Sequence, residues 1–167
     1  MPSPAASASP GRQPLLTPVL LAGCAVILTG FAIRASFGIF QIPIAEDFGW
    51  PRAEFSLAIA IQNLAWGIGQ PFFGALAEKV GDRRAIVAGA VLYALGLILS
   101  AGATTPLQHQ LLEVLVGLGI AGTGFGVILA VVGRAASDAN RSMSLAVVTA
   151  AGSAGQVVGP PLAEGLL

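Results

Sequence analysis

Five stretches of the chain contain no Asp, Glu, Lys or Arg, and each is 19 to 23 residues long: 15–33, 55–77, 85–103, 114–133 and 142–163. A helix needs about 20 mainly apolar residues to cross the hydrocarbon core of a bilayer. None of the stretches alternates with period 2, which excludes the strands of a β-barrel. In hydrocarbon the backbone must satisfy its own hydrogen bonds, so each stretch reads as a helix. The expected fold is an all-α, polytopic membrane helix bundle. Its five transmembrane helices are placed at about 15–42, 54–77, 84–103, 108–134 and 142–166.

Composition supports a lipid solvent. Charged residues make up 10% of the 167 and hydrophobic residues 55%, whereas a soluble domain carries about a quarter charged residues. Intrinsic disorder needs the opposite balance. Eight basic and eight acidic side chains leave no net charge, so there is no basic field to attract nucleic acid. The single cysteine, Cys24, excludes an internal disulfide framework and a Cys-based zinc site. No phosphate-cradling loop is present, and one His with one Cys gives no catalytic constellation. The chain is therefore read as neither an enzyme nor a carrier of a cofactor or metal.

The breaks at 43–51, 78–84, 104–110 and 135–141 combine proline, glycine, small polar and charged residues and read as turns. Short turns make successive helices antiparallel neighbours. Residues 1–14, rich in Pro, Ser and Ala, read as a disordered cytoplasmic tail, with the bundle over 15–167. Bases set orientation. With the N-terminus inside, Arg12, Lys79, Arg83, Arg84, Arg134 and Arg141 fall on the cytoplasmic side and Arg52 alone outside. The odd number of spans, with the last ending at Leu167, predicts an incomplete bundle whose partner is a missing C-terminal half.

The turn between the second and third spans reads Gly74-Ala75-Leu76-Ala77-Glu78-Lys79-Val80-Gly81-Asp82-Arg83-Arg84. It resembles the signature of the major facilitator superfamily: glycine, acid, base, glycine and paired bases at this spacing. The family usually has Asp where this chain has Glu78, and often a base where it has Asp82. In the fifth span, Gly152-Ser153-Ala154-Gly155-Gln156-Val157-Val158-Gly159-Pro160-Pro161 resembles that family's Gly-x-x-x-Gly-Pro motif. In the fourth, many members carry an arginine four residues before a glycine-rich run. Here the run starts at Gly117 and the residue is Glu113, a reversed charge. Phe37-Gly38-Ile39-Phe40 and Phe48-Gly49-Trp50-Pro51-Arg52 look like the bacterial monocarboxylate and oxalate/formate-type branch.

The resemblance implies most of the first of two six-helix halves, in a bacterial inner membrane, and transport of a small solute by alternating access. It assigns gating or conformational roles to Gly74, Glu78, Lys79, Gly81, Arg83, Arg84, Gly155, Gly159 and Pro160. Glycines four apart let helices meet backbone to backbone, and Glu78 is placed to accept hydrogen bonds from a neighbouring helix N-terminus.

Charges inside spans are functional candidates. At 1.5 Å rise per residue, Arg34 lies roughly 12 Å from the end of the first span and Glu113 roughly 7 Å from the start of the fourth. Gln62 and Asn63 fall at similar depth, and Gln41 is two turns beyond Arg34 on the same face. Arg34, Gln41, Gln62, Asn63 and Glu113 are the expected substrate-binding set. A guanidinium pairs both oxygens of a carboxylate, so the expected solute is an organic anion such as a monocarboxylate. A structural Arg34–Glu113 ion pair is the competing reading. A non-transporting, truncated or scaffold-like membrane protein is the alternative function. His109 reads as a solvated loop residue, and Trp66 as a packing or lipid-facing group.

Overall fold

The computed structural model describes residues 14–166, which form α1 (Pro18–Phe48), α2 (Arg52–Val80), α3 (Asp82–Ser100), α4 (Pro106–Thr123), α5 (Phe125–Ala135) and α6 (Arg141–Glu164). The tail assigned to 1–14 lies outside the described residues except at its last position. No strand occurs among the described residues, as expected of an all-α bundle.

Local chemistry starts and stops these helices. Thr17 accepts a hydrogen bond from the Leu20 amide and precedes Pro18, and Thr105 accepts from the Gln108 amide and precedes Pro106. Both are N-caps with proline at the first helical position. Gly49 ends α1 at φ 64°, and Gly81, at φ 94°, alone separates α2 from α3. An L side chain would be strained at either position.

Several boundaries differ from the sequence expectation: the turn expected at 78–84 is helical except at Gly81, and α4 begins at Pro106, inside the turn expected at 104–110. The first turn is not 43–51: α1 continues through Pro43 to Phe48, and the turn is only Gly49–Pro51. Proline removes one backbone donor without ending a helix this long, and Glu46 and Asp47 stand exposed on its last turns. The fourth span is broken. Gly124 takes an extended conformation, φ −87° and ψ −171°, so that α5 follows α4 as a separate segment. Together they make one apolar stretch, Pro106–Ala135.

Pro18–Phe40, Asp82–Ser100, Pro106–Ala135 and Arg141–Glu164 are long and apolar enough to cross a membrane. The remaining long helix, α2, is less apolar because Gln62, Asn63 and Gln70 interrupt it, and it lies along α4. Gly117 meets Gln62 and Ala65, Gly69 meets Ala121, and Gly122 meets Phe73, so the two run in the same direction. α3 runs opposite to α4, with Gly89 against Gly122 and Tyr93 against Gly119. α6 runs along α1, with Gly155 on Leu28 and Gly159 on Ala32. The core between these groups holds Leu20, Ile27, Phe31, Ile128, Val132 and Val148. Leu64, Ile68 and Phe72 on α2 and Val157 on α6 face outward, as lipid-bathed helices permit and a water-soluble fold would not.

Candidate functional site

Arg34 sits on α1, just past the middle of this 31-residue helix. Its Nη2 donates to Asn63 Oδ1 of α2 at 2.7 Å. Asn63 is held in turn by donating to the Ile59 carbonyl at 2.9 Å, one turn back. The guanidinium lies over the Trp66 ring, 5.2 Å from its centroid, an attraction worth about 0.5–2 kcal/mol. Trp66 is packed edge-on against Phe31. Two N–H donors remain at this place with no acceptor among the described residues: Arg34 Nε and Trp66 Nε1, both buried. Buried donors without partners are rare and costly, about 1–3 kcal/mol each. They mark the place where an acceptor is most wanted.

The expected polar layer exists, but it is divided. Glu113 of α4 is fully buried and does not meet Arg34: its Oε2 accepts from Gln62 Nε2 at 2.6 Å. Among the described residues no carboxylate lies within salt-bridge distance of Arg34. The Arg34–Glu113 ion pair is therefore replaced by two neutral-partner contacts, Arg34–Asn63 and Gln62–Glu113. The cause is helical phase. Gln62 and Asn63 are adjacent on α2 and point about 100° apart, one to α4 and the other to α1. The side chain of Gln41 lies outside the described residues.

Sequence reasoning missed Trp66 as a site residue. Asn63, Trp66 and Gln70 are spaced i, i+3, i+7, one face of a helix, and that periodicity was the available signal. His109 is not a loop residue either. It occupies the first turn of α4, buried between the rings of Trp50 and Phe55, with Nδ1 2.7 Å from the Ser100 hydroxyl.

At the opposite end of the bundle, Arg134 Nη2 donates to Asp82 Oδ1 at 2.5 Å, tying the end of α5 to the start of α3. Asp82, the position where the resembled signature often has a base, makes this contact. Glu78, Lys79, Arg83 and Arg84 are exposed around it, and Glu78 accepts no helix N-terminus among the described residues. Gly74 has open space where a Cβ would stand, whereas Gly155 and Gly159 press on the α1 backbone. Pro160 follows Gly159 inside α6. No cluster of three or more metal-ligating side chains occurs among the described residues. A groove of about 420 Å³ between α1 and α3, lined by Gly30, Tyr93 and Thr123 among others, is almost wholly apolar and does not include Arg34.

Comparison with known proteins places the sequence in a wider group. The chain is 34% identical over 97 residues to "Monocarboxylate transporter 13" of Bos taurus, covering 58% of this chain and 22% of that protein. It is 28% identical over 132 residues to "Uncharacterized MFS-type transporter YcxA" of Bacillus subtilis (strain 168), covering 78% of this chain and 32% of that protein. The matches thus span a third or less of these relatives' lengths. No solved structure matches. A family model described as "Major Facilitator Superfamily" matches residues 22–167. With that match over most of its length, and with apolar helices packed through glycine faces, the chain is an integral membrane protein that belongs to the major facilitator superfamily.

Proposed function

We propose that the chain is part of a secondary active transporter that carries a small organic anion, a monocarboxylate, by alternating access. The observation that carries this reading is the pair of buried, acceptorless N–H groups at Arg34 and Trp66. A carboxylate placed against them gains a charge-assisted hydrogen bond from the guanidinium and a second from the indole. Arg34 is the binding cation, Asn63 holds it in place, and Trp66 is its platform. Gln62 and Glu113 stand behind them as a support joining α2 to α4, and Gln41 lies farther along α1. The name of the bovine relative supports the choice of monocarboxylate.

In this reading the N-terminus faces the cytoplasm, as the positions of Lys79, Arg83, Arg84, Arg134 and Arg141 favour, and the membrane is a bacterial inner membrane. Gly74, Glu78, Lys79, Gly81, Arg83 and Arg84 form the cytoplasmic turn that shifts against other helices during gating. Gly155, Gly159 and Pro160 keep α6 and α1 together as one moving unit. A second half, supplied by further chain or by a partner, closes the solute path from the other side, as repeats do in secondary transporters.

The test is equilibrium binding of radiolabelled propionate to the purified protein in lipid nanodiscs. Saturable binding is expected, competed by other small monocarboxylates but not by propionamide, and weakened at least about tenfold by Arg34→Ala, the range of one charge-assisted contact. Absence of saturable binding, or equal competition by the amide, contradicts the proposal.

A further inference from the structure

The second half of the divided polar layer has a chemistry of its own. Glu113 is fully buried, and only one of its oxygens is satisfied, by Gln62. The other, Oε1, has no hydrogen-bond partner, and it faces His109 Nε2 at 3.8 Å, which has none either. The far nitrogen of the same ring, Nδ1, is bonded to the Ser100 hydroxyl. Ser100 and His109 both line a cavity of about 370 Å³ with Phe37, Phe48, Trp50 and Phe55, at the Trp50 end of the bundle. A file of polar groups thus runs inward from the cavity: Ser100, His109, Glu113, Gln62.

The surroundings leave the carboxylate without a compensating cation. From α1, Arg34 is engaged with Asn63 and Trp66. From α2, Glu54 is held by Gln110, and the groups nearest Glu113 are Gln62 and the Phe55 ring beside His109. From α3, Tyr93 donates its hydroxyl to the Gly30 carbonyl, and Ser100 meets the imidazole. An ionised carboxylate with one donor in a water-excluded place is expensive. A proton on that oxygen removes the charge and turns Oε1 into a donor aimed at the ring.

We propose that Glu113, backed by His109, is a proton-binding site reached from the aromatic cavity at the Trp50 end of the bundle. A proton arriving along the Ser100 hydroxyl is taken by His109 Nδ1, and the ring releases its Nε2 proton to Glu113 Oε1. One N–H bond and one O–H bond form as one N–H bond and the incoming donor bond break, and the net result is one proton gained by the carboxylate. The 3.8 Å gap closes by a side-chain rotation. The use of this proton in driving solute movement rests on the carrier reading above. The existence of the site does not.

The test is infrared difference spectroscopy of the full chain in nanodiscs, recorded across pH with no solute present. The carbonyl stretch of a protonated carboxyl is expected in the wild type and is lost in Glu113→Gln. In His109→Leu, which removes the ring N–H that favours the anion, the band is expected to persist to a pH higher by about one unit or more. A band unchanged by Glu113→Gln overturns the site. If Glu113→Gln fails to fold, the His109→Leu arm decides alone, and an unmoved band there overturns the role of the imidazole. Failure of either arm leaves propionate binding at Arg34 untouched, so the two readings fail separately.

Discussion

Gln62 of α2 gives its side-chain amide to Glu113 of α4 across 2.6 Å, where both side chains are almost sealed from the outside. This contact separates the interior polar groups into two pairs and leaves Arg34 without a carboxylate partner among the described residues. A carboxylate held by Gln62 on another helix and out of reach of the guanidinium does not occupy the place of a bound anion. The separation is what makes Arg34 available.

The Gln62–Glu113 contact is expected to be worth more broken than absent. Gln62→Leu strands a buried carboxylate and should destabilise the bundle by about 1–3 kcal/mol. The double change Gln62→Leu with Glu113→Leu should cost less than Gln62→Leu alone, since no polar group is then left unpaired. Thermal or denaturant unfolding in one detergent checks the order of the two variants against the parent.

Gly155 and Gly159 should be the least tolerant glycines of α6, because a side chain there enters the α1 backbone at Leu28 and Ala32. Gly159→Val is expected to cost about 1–3 kcal/mol or more, as overpacking does. Gly74→Val, with open space at its Cβ, should change stability by no more than about 0.5 kcal/mol. Equal sensitivity at the two positions would remove the argument for α1–α6 docking through these glycines.

The Asp82–Arg134 pair is half-exposed, with side-chain exposures of 35% and 54%. Pairs of that kind contribute about 0–1 kcal/mol and weaken with salt. Asp82→Asn is expected to lower stability by that small amount in dilute buffer and by less at high ionic strength, followed by unfolding at two salt concentrations. Glu78→Gln should leave the stability of this chain unchanged.

Topology can be checked by single cysteines in a Cys24→Ser background. Positions Asp47 and Gly81 lie at opposite ends of the bundle, and an impermeant maleimide added to intact cells should label the first and spare the second. Labelling of both from outside would overturn the N-inside arrangement.

Much of this was legible in the chain and some was not, for identifiable reasons. Uncharged runs of about 20 residues place the spans because lipid imposes length and excludes charge. The Gly155/Gly159 spacing foretells a close helix contact because glycines four apart open one face of a helix to a neighbouring backbone. Proline and charge misled at the first turn. Pro43, Glu46 and Asp47 look like a loop, yet a helix leaving the membrane can carry all three on its last turns. Gly124 is one glycine among five in its neighbourhood, and only packing decides which of them breaks the helix. The pairing of Arg34 was hidden because it depends on the rotation of α2 against two neighbours. Adjacent Gln62 and Asn63 must choose different partners, and a sequence does not state the phase. His109 was misplaced because a polar stretch after a proline reads as a turn, while Thr105 in fact caps a helix there and turns the ring inward between Trp50 and Phe55.

The central claim, an anion held between Arg34 and Trp66, is tested most directly by Trp66 emission. The chain has two tryptophans, so a Trp50→Phe background reports Trp66 alone. Titration of this protein with propionate at constant ionic strength, against chloride, should give a saturable change in emission. Arg34→Ala should abolish that change, and Arg34→Lys should weaken it, because an ammonium lacks the planar fork that reaches carboxylate and ring together. The same saturable change surviving in Arg34→Ala, or no change in the parent, would contradict it.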